Sequence, residues 1–380
     1  MRTLVNRVSA LGVATVVVVG LSLAAIVEQA LFPTAHSAHQ RETASAPGPV
    51  HSRSHSPRPS RSAKRVSPAT LLSRQVKKAA TTQRGPIARR EYGVGKVATP
   101  IVRVSRIDKS WAFGSEAIPV PAESTATPES SLFLARAEGT RWTVALAGTP
   151  QFADLASDAP ESVLHKDERE TLKKFHAPGK TPADTGLMLP WSVGQSWSAV
   201  TNASASWGFE GGDGRVVAAG DGLLYRLCSS SPGRGLVLLV HPNGLATEYY
   251  QIDDLTPLAD GDAVKQGDYL GRTSNDQPCG GGRASSQLVR FSLRDADGPI
   301  PLDEVKIGGW TLHSTSDEVF ADRGGLRVDV GNPLLNFGIV PTPTPSKSPS
   351  KSPKPSKSPK SPKPSKAPGS VPMSDPRVSA

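Results

Sequence analysis

The chain has 380 residues and a formal charge of +10, with 37% hydrophobic residues and 35 prolines. That length leaves room for two domains, but the ends, rich in proline and serine, cannot bury a core. The positive excess sits in these low-complexity arms without a nucleic-acid-binding motif, which sets nucleic acid aside and points to a polyanionic surface instead.

Arg2 and Arg7 precede an apolar run from Ala10 to Val27, longer than a usual signal h-region and near the minimum for a membrane span. A signal peptide or a signal-anchor helix over residues 1–32 satisfies it; Ala30, Ala35 and Ala38 are candidate cleavage positions. Both readings put most of the chain outside the cytoplasm, secreted or anchored at the cell surface, with membrane contact only through this helix. Residues 33–91 read as a disordered basic linker, although Thr70 to Ala80 has helical propensity. Its His36, His39, His51 and His55 show no ligand spacing, which favours a solvated tract over a metal site.

Residues 92–178 read as a small α+β domain. Val102–Arg106, Trp111–Gly114 and Ser131–Ala137 are predicted strands, and Glu138-Gly139-Thr140 turns into a further strand at Arg141–Leu146. Asp154–Leu164 and Lys166–Phe175 read as helices, with His165, Glu168 and His176 expected on a solvated face. Residues 187–338 show short strands separated by turn chemistry, the pattern of a mainly antiparallel β domain. Arg215–Ala219 and Leu223–Leu227 flank Gly220-Asp221-Gly222. The apolar run Gly235–His241 reads as a central strand, Pro242-Asn243-Gly244 as a turn, and Leu245–Ile252 and Gln287–Arg294 as strands. Residues 339–380 repeat Ser-Pro and Lys-Pro units and read as an extended disordered tail, suited to polyanions or to a plain solubilising spacer.

Cys228 and Cys279 are the two cysteines. In an exported chain they suggest one disulfide, worth roughly 4 kcal/mol in the chain-entropy model; two free thiols are the alternative.

Several ordered motifs in 187–338 resemble the M23 peptidases, the LasA and lysostaphin-like family that cleaves peptidoglycan cross-bridges. They are Leu189-Pro190-Trp191 with Gly194 and Trp197; Val216-Val217-Ala218-Ala219 with Gly222; His241-Pro242-Asn243-Gly244-Leu245-Ala246-Thr247-Glu248-Tyr249-Tyr250; and Gly261, Val264, Gly267 with Leu270-Gly271. The cysteines fall where LasA-like members carry a disulfide pair. The resemblance implies a LytM-type β-sheet core and a zinc ion held by His, Asp and the second His of a His-x-His pair, with further histidines assisting the attacking water. Zinc would bring its bound water to a pKa of about 7.

At those positions this chain departs from the family. Gly208 stands at the Asp position and Gln251 at the histidine after Tyr-Tyr. Leu288 and Arg290, within Gln287-Leu288-Val289-Arg290-Phe291-Ser292-Leu293, replace the His-x-His pair. Val200 to Ala205, where the first histidine belongs, contains none. Glycine and leucine offer no ligand, and a guanidinium stays charged. The expectation is therefore no catalytic residue, no metal ligand and no cofactor, with zinc returning only if these matches are misplaced. His241 is expected to be structural, and Asp253 and Asp254 to be turn residues.

A vacated groove remains a binding candidate. Arg290 can stand in for the metal's positive charge toward a carboxylate, and Trp197, Trp207, Tyr249 and Tyr250 can wall a peptide or glycan. Core packing of the aromatics and a salt bridge from Arg290 are the alternatives. The reading is an exported wall-associated protein with an inactive M23-like domain. Its expected partners are peptidoglycan, wall polyanions such as teichoic acid, or a wall hydrolase that it regulates. An active zinc endopeptidase and a structural wall-spanning protein are the rivals.

Overall fold

The computed structural model describes residues 67–339 apart from 140, 177–183, 204, 230–232, 296 and 316–317. The N-terminal apolar run, its adjoining His-bearing stretch and the Lys-Pro tail lie outside the described residues. Among the described residues no helix is long and apolar enough to cross a membrane.

Helix α1 (Pro68–Gln83) starts at Ser67, whose Oγ accepts the Thr70 amide at 3.2 Å, with Pro68 in the first turn. It buries Leu72, Val76 and Ala80, an i, i+4, i+8 stripe. Helix α2 (Gly85–Tyr92) follows and ends on Gly93 at φ 66°. These helices correct the expectation of a disordered linker through residue 91. Basic residues on the outer face hide the apolar stripe when composition is averaged.

Four antiparallel strands come next, β1 (Ile101–Asp108), β2 (Trp111–Ile118), β3 (Glu129–Glu138) and β4 (Arg141–Leu146), paired in chain order. Strand β3 alternates between two cores. Phe133 and Ala135 pack under α1 with Ala112, Trp142 and Leu146, while Leu132 and Leu134 face the opposite way. Helix α3 (Pro150–Asp158) is capped by Thr149 and ends before Ala159-Pro160, so it lies earlier than Asp154–Leu164; a residue preceding proline is disfavoured in helix. Helix α4 (Lys166–His176) completes this α+β part. Glu168 is buried, not solvated: it binds Arg106 at 2.6 and 2.7 Å and accepts the Tyr225 hydroxyl at 2.8 Å.

The largest sheet has 11 strands. These are β5 (Ser196–Ala203), β6 (Ser206–Gly211), β7 (Arg215–Val217), β8 (Gly222–Leu227), β9 (Gly235–Val240), β10 (Ala246–Asp253), β11 (Ala263–Val264), β12 (Tyr269–Thr273), β13 (Val289–Arg294), β14 (Pro299–Ile300) and, last in the described chain, β19 (Pro333–Leu335). The main path runs β11-β8-β9-β10-β13-β6-β5-β19, with β12 beside β10 and β7, and β14 beside β13; every pairing is antiparallel. A smaller sheet of β15 (Val305–Ile307), β16 (Trp310–Ser314), β17 (Val319–Arg323) and β18 (Leu326–Asp329) packs on it. The fold is mainly antiparallel β with a preceding α+β part.

Strand β9 is buried on both faces, as its unbroken apolar sequence requires. Val237 and Leu239 join the core with Trp191, Trp197, Phe209 and Phe291; Leu236, Leu238 and Val240 join Phe113, Leu134, Phe152 and Leu172. The second core draws side chains from the α+β part and the large sheet alike, so the two regions fold against each other. Cys228 and Cys279 form a disulfide within it, Cα to Cα 5.4 Å.

Candidate functional site

Strands β6, β13 and β10 lie side by side and bring the four substituted positions together. Arg290 pairs with Gly208 on β6 and with Tyr250 on β10. Gln251 sits at an irregularity in the β9–β10 pairing with φ 60°, a left-handed conformation uncommon for a non-glycine residue. Its Oε1 accepts the Arg290 Nε–H at 2.8 Å, and its carbonyl accepts the Ser274 amide at 2.9 Å. Ser274 also exchanges backbone hydrogen bonds with Leu288. Positions scattered over some 80 residues of sequence thus meet in one patch.

Alternation fixes the faces. Trp207 and Phe209 on β6, Val289 and Phe291 on β13, and Trp197 on β5 all enter the core shared with the small sheet. Gly208, Glu210, Leu288 and Arg290 therefore face the opposite side. This corrects the expectation that Trp197, Trp207 and Tyr249 wall a groove. All three are buried in the core behind the sheet, where Trp197 stacks on Trp191 at 5.2 Å and the Tyr249 hydroxyl accepts the Ala219 amide at 2.8 Å. Tyr250 is on the substituted side but is also buried: its hydroxyl donates to the Gly280 carbonyl. Arg290 is 2% exposed, and burial lowers its pKa against the opposing influence of Tyr250. It offers no open charge to a ligand from solvent in this state.

A zinc ion of the kind the resemblance implies does not fit these residues. Gly208 and Leu288 have no donor atom, Arg290 is a cation with only N–H donors, and the Gln251 oxygen is occupied by Arg290. Among the described residues, Asp303, Glu304 and His313 bring possible ligand atoms within 4.8 Å of one another, but on the small sheet. His313 there already meets Glu304 at 3.0 Å and stacks on Phe320. His241 is buried with Nδ1 donating to the Asp221 carbonyl at 2.7 Å and Nε2 at 2.9 Å from Thr247 Oγ1; burial lowers its pKa, which suits a neutral structural ring. Asp253 ends β10, and Asp254 follows at φ 47° with its Oδ2 accepting the Tyr269 hydroxyl at 2.8 Å.

Farther along the same face of β13 lies a buried ionic cluster. Arg294 donates to Glu248 at 2.6 Å and to Glu129, on β3, at 3.0 Å. Glu248 also accepts Ser130 at 2.7 Å and Ser292 at 3.1 Å, and Arg84 lies 3.7 Å from Glu129. The α+β part is thereby fastened to the large sheet through charge as well as apolar contact. Nothing in the spacing of these residues links them, and the sequence reading assigned none of them a role.

Beside the substituted patch, a polar cleft of about 640 Å³ opens at the ends of β6, β12 and β13. Ser198, Glu210, Arg272, Thr273, Ser286, Gln287 and the Gly211–Gly214 turn line it. Glu210 is the next side chain after Gly208 on this face of β6, about 7 Å along the strand. The glycines Gly211, Gly212 and Gly214 beside Asp213 signal a tight turn, which was the available hint.

Neither a protein-family model nor a curated protein matches the chain. Among solved structures it is similar to pseudoalterin, an M23 metalloprotease from the deep sea, with 28% identity and a TM-score of 0.34 over 39% of this chain and 97% of that one. The catalytic domain of the antimicrobial peptidase lysostaphin from Staphylococcus simulans gives 14% identity and a TM-score of 0.22, over 29% of this chain and 88% of the other. A zinc-containing peptidase from Vibrio cholerae gives 9% and 0.25, over 64% and 97%.

Proposed function

We propose that this is an exported, wall-associated protein whose M23-like sheet binds peptidoglycan, or regulates a wall hydrolase, without cleaving peptides. The observation that carries the reading is the patch of Gly208, Gln251, Leu288 and Arg290: the positions that would hold and assist zinc converge in space and cannot bind it. The ordered motifs around the patch support the family origin. Export rests on the N-terminal apolar run, and contact with wall polyanions on the basic tail.

The test uses the chain with its α+β part in place, because the two regions share a core. Purified protein should hold no stoichiometric zinc and release no peptide from wall sacculi, yet sediment with them. One equivalent of tightly held zinc with chelator-sensitive cleavage would overturn the reading in favour of an active endopeptidase. Failure to sediment would favour the structural, wall-spanning alternative.

A further inference from the structure

We infer that the cleft beside the substituted patch is a site for the free ammonium group of a peptide, held by Glu210. This rests on the reading that the sheet binds peptides without cleaving them, and it adds what the site recognises.

Glu210 is half-buried, lines the polar cleft of about 640 Å³, and makes no hydrogen bond or ion pair with any other described residue. The carboxylates of Glu248, deeper in the large sheet, and of Glu129, on β3, behave differently: both are bound by Arg294. Glu210 is thus a negative charge with acceptor capacity to spare, in a recess where a partner would be partly shielded from water. A primary ammonium supplies three donors and the opposite charge.

The neighbouring lining favours a peptide over a bare cation. Arg272 contributes N–H donors for a carbonyl or carboxylate, while its Nη2 also donates to the Asp213 carbonyl. Ser198, opposite Glu210 in the β5–β6 pairing, adds a hydroxyl. A divalent metal is disfavoured by Arg272, whose fixed charge lies in the same recess.

The turn that forms one wall of the cleft depends on glycine. Gly212 and Gly214 have φ of 50° and 72°, and an added Cβ would come within 2.6 Å of Trp197 Nε1 and 2.8 Å of Thr273 Oγ1 respectively. Asp213 Oδ1 accepts the Arg215 amide at 3.0 Å and holds the turn. A side chain at 212 would press on Trp197 and Gln195, and one at 214 on Thr273, so the turn is packed closely on its neighbours.

The experiment is calorimetric titration of the full chain with tetra-alanine and with its N-acetylated form at neutral pH. Acetylation removes the ammonium and leaves every amide. Tetra-alanine should bind about tenfold to hundredfold more tightly than the acetylated peptide, and the near-isosteric Glu210→Gln should erase that difference. Equal affinity of the two peptides for the unmodified chain, or no measurable binding of either, would overturn the inference; the first comparison needs no variant to fold. A preference for the free amine that persists in Glu210→Gln would overturn the assignment to Glu210. Zinc content and peptide release, measured on the same sample, report separately on the non-cleaving reading.

Discussion

Arg290 and Arg294 stand on the same face of β13, and each is 2% exposed. Burial alone lowers the pKa of a guanidinium, and at Arg290 it does so. At Arg294 the carboxylates of Glu248 and Glu129 outweigh burial and raise it. One end of the strand is therefore a compensated ionic fastener between two regions. The other is a buried cation set against an amide and a tyrosine, beside an open cleft. The difference teaches that a buried arginine is not one kind of feature: what faces it decides whether burial or its partners set its pKa.

The largest effect should follow from breaking the compensated end. Arg294→Leu would leave Glu248 and Glu129 buried without their main cation, and should cost about 3–5 kcal/mol in denaturant unfolding. A loss below about 1 kcal/mol would show that the cluster does not carry the fastening and would collapse the contrast.

The disulfide tests the other end. Cys279 precedes Gly280, whose carbonyl accepts the Tyr250 hydroxyl, and its own carbonyl accepts the Val120 amide at 2.9 Å. Its bond to Cys228 closes a loop with a sequence separation of 51, so replacing both by Ser should cost roughly 4 kcal/mol in the chain-entropy model. Hydrogen exchange should rise at Tyr250 and Gln251 before it rises at Glu248. Uniform exchange along β10 would mean that the two ends open together and are not separable.

How much of this could be read beforehand follows the same divide. The run Gly235–Val240 declared a central strand because strands buried on both faces need unbroken apolar sequence. The convergence of Gly208, Gln251, Leu288 and Arg290 was legible through motif resemblance. Their environment was not, because strand alternation shows that Trp207 and Phe209 share a face without showing whether that face is groove or core. Glu168 and Glu248 look like ordinary surface acids in sequence, and only the partners Arg106 and Arg294, distant along the chain, bury them. Strands β15–β18 are three to five residues long, and the alternation of β15 and β16 is too brief to mark a strand, so their sheet went unread.

A pH titration sharpens the comparison further, because the compensated end carries an excess carboxylate. Glu116 is buried beside Glu129 on β3, with Arg84 and Arg294 as the nearby cations, and neither of its oxygens has a hydrogen-bond partner. Burial first, then Glu129, push its pKa up to about 8, while the two arginines oppose this. In the folded state Glu116 therefore holds a proton that the unfolded chain releases near 4.5, its unperturbed value. The folded state binds more protons over that interval, so stability falls as pH rises from about 4.5 to about 8 and levels off above. The slope should be on the order of 1 kcal/mol per pH unit at its steepest. Glu129 is shifted in the same direction and adds to the same sign. Thermal melting across this range should show the decline, and Glu116→Gln should flatten it; superimposable profiles of the two proteins would assign the slope to other groups.

The smallest effect is expected at Arg290, whose pKa burial lowers. Arg290→Leu removes the hydrogen bond to Gln251 Oε1, a bond to a charged donor worth about 1.5–3 kcal/mol. It also removes the cost of keeping a guanidinium in a site where burial already lowers its pKa. These contributions oppose each other, so the net change should be about 1 kcal/mol or less in denaturant unfolding, well under that of Arg294→Leu. Gln251→Leu would strand the Arg290 donor in the same site and should cost more than Arg290→Leu, whereas replacing both together should fall near the Arg290→Leu value. A loss at Arg290→Leu as large as at Arg294→Leu would mean that both ends of β13 hold the fold alike, and the contrast between them would fall.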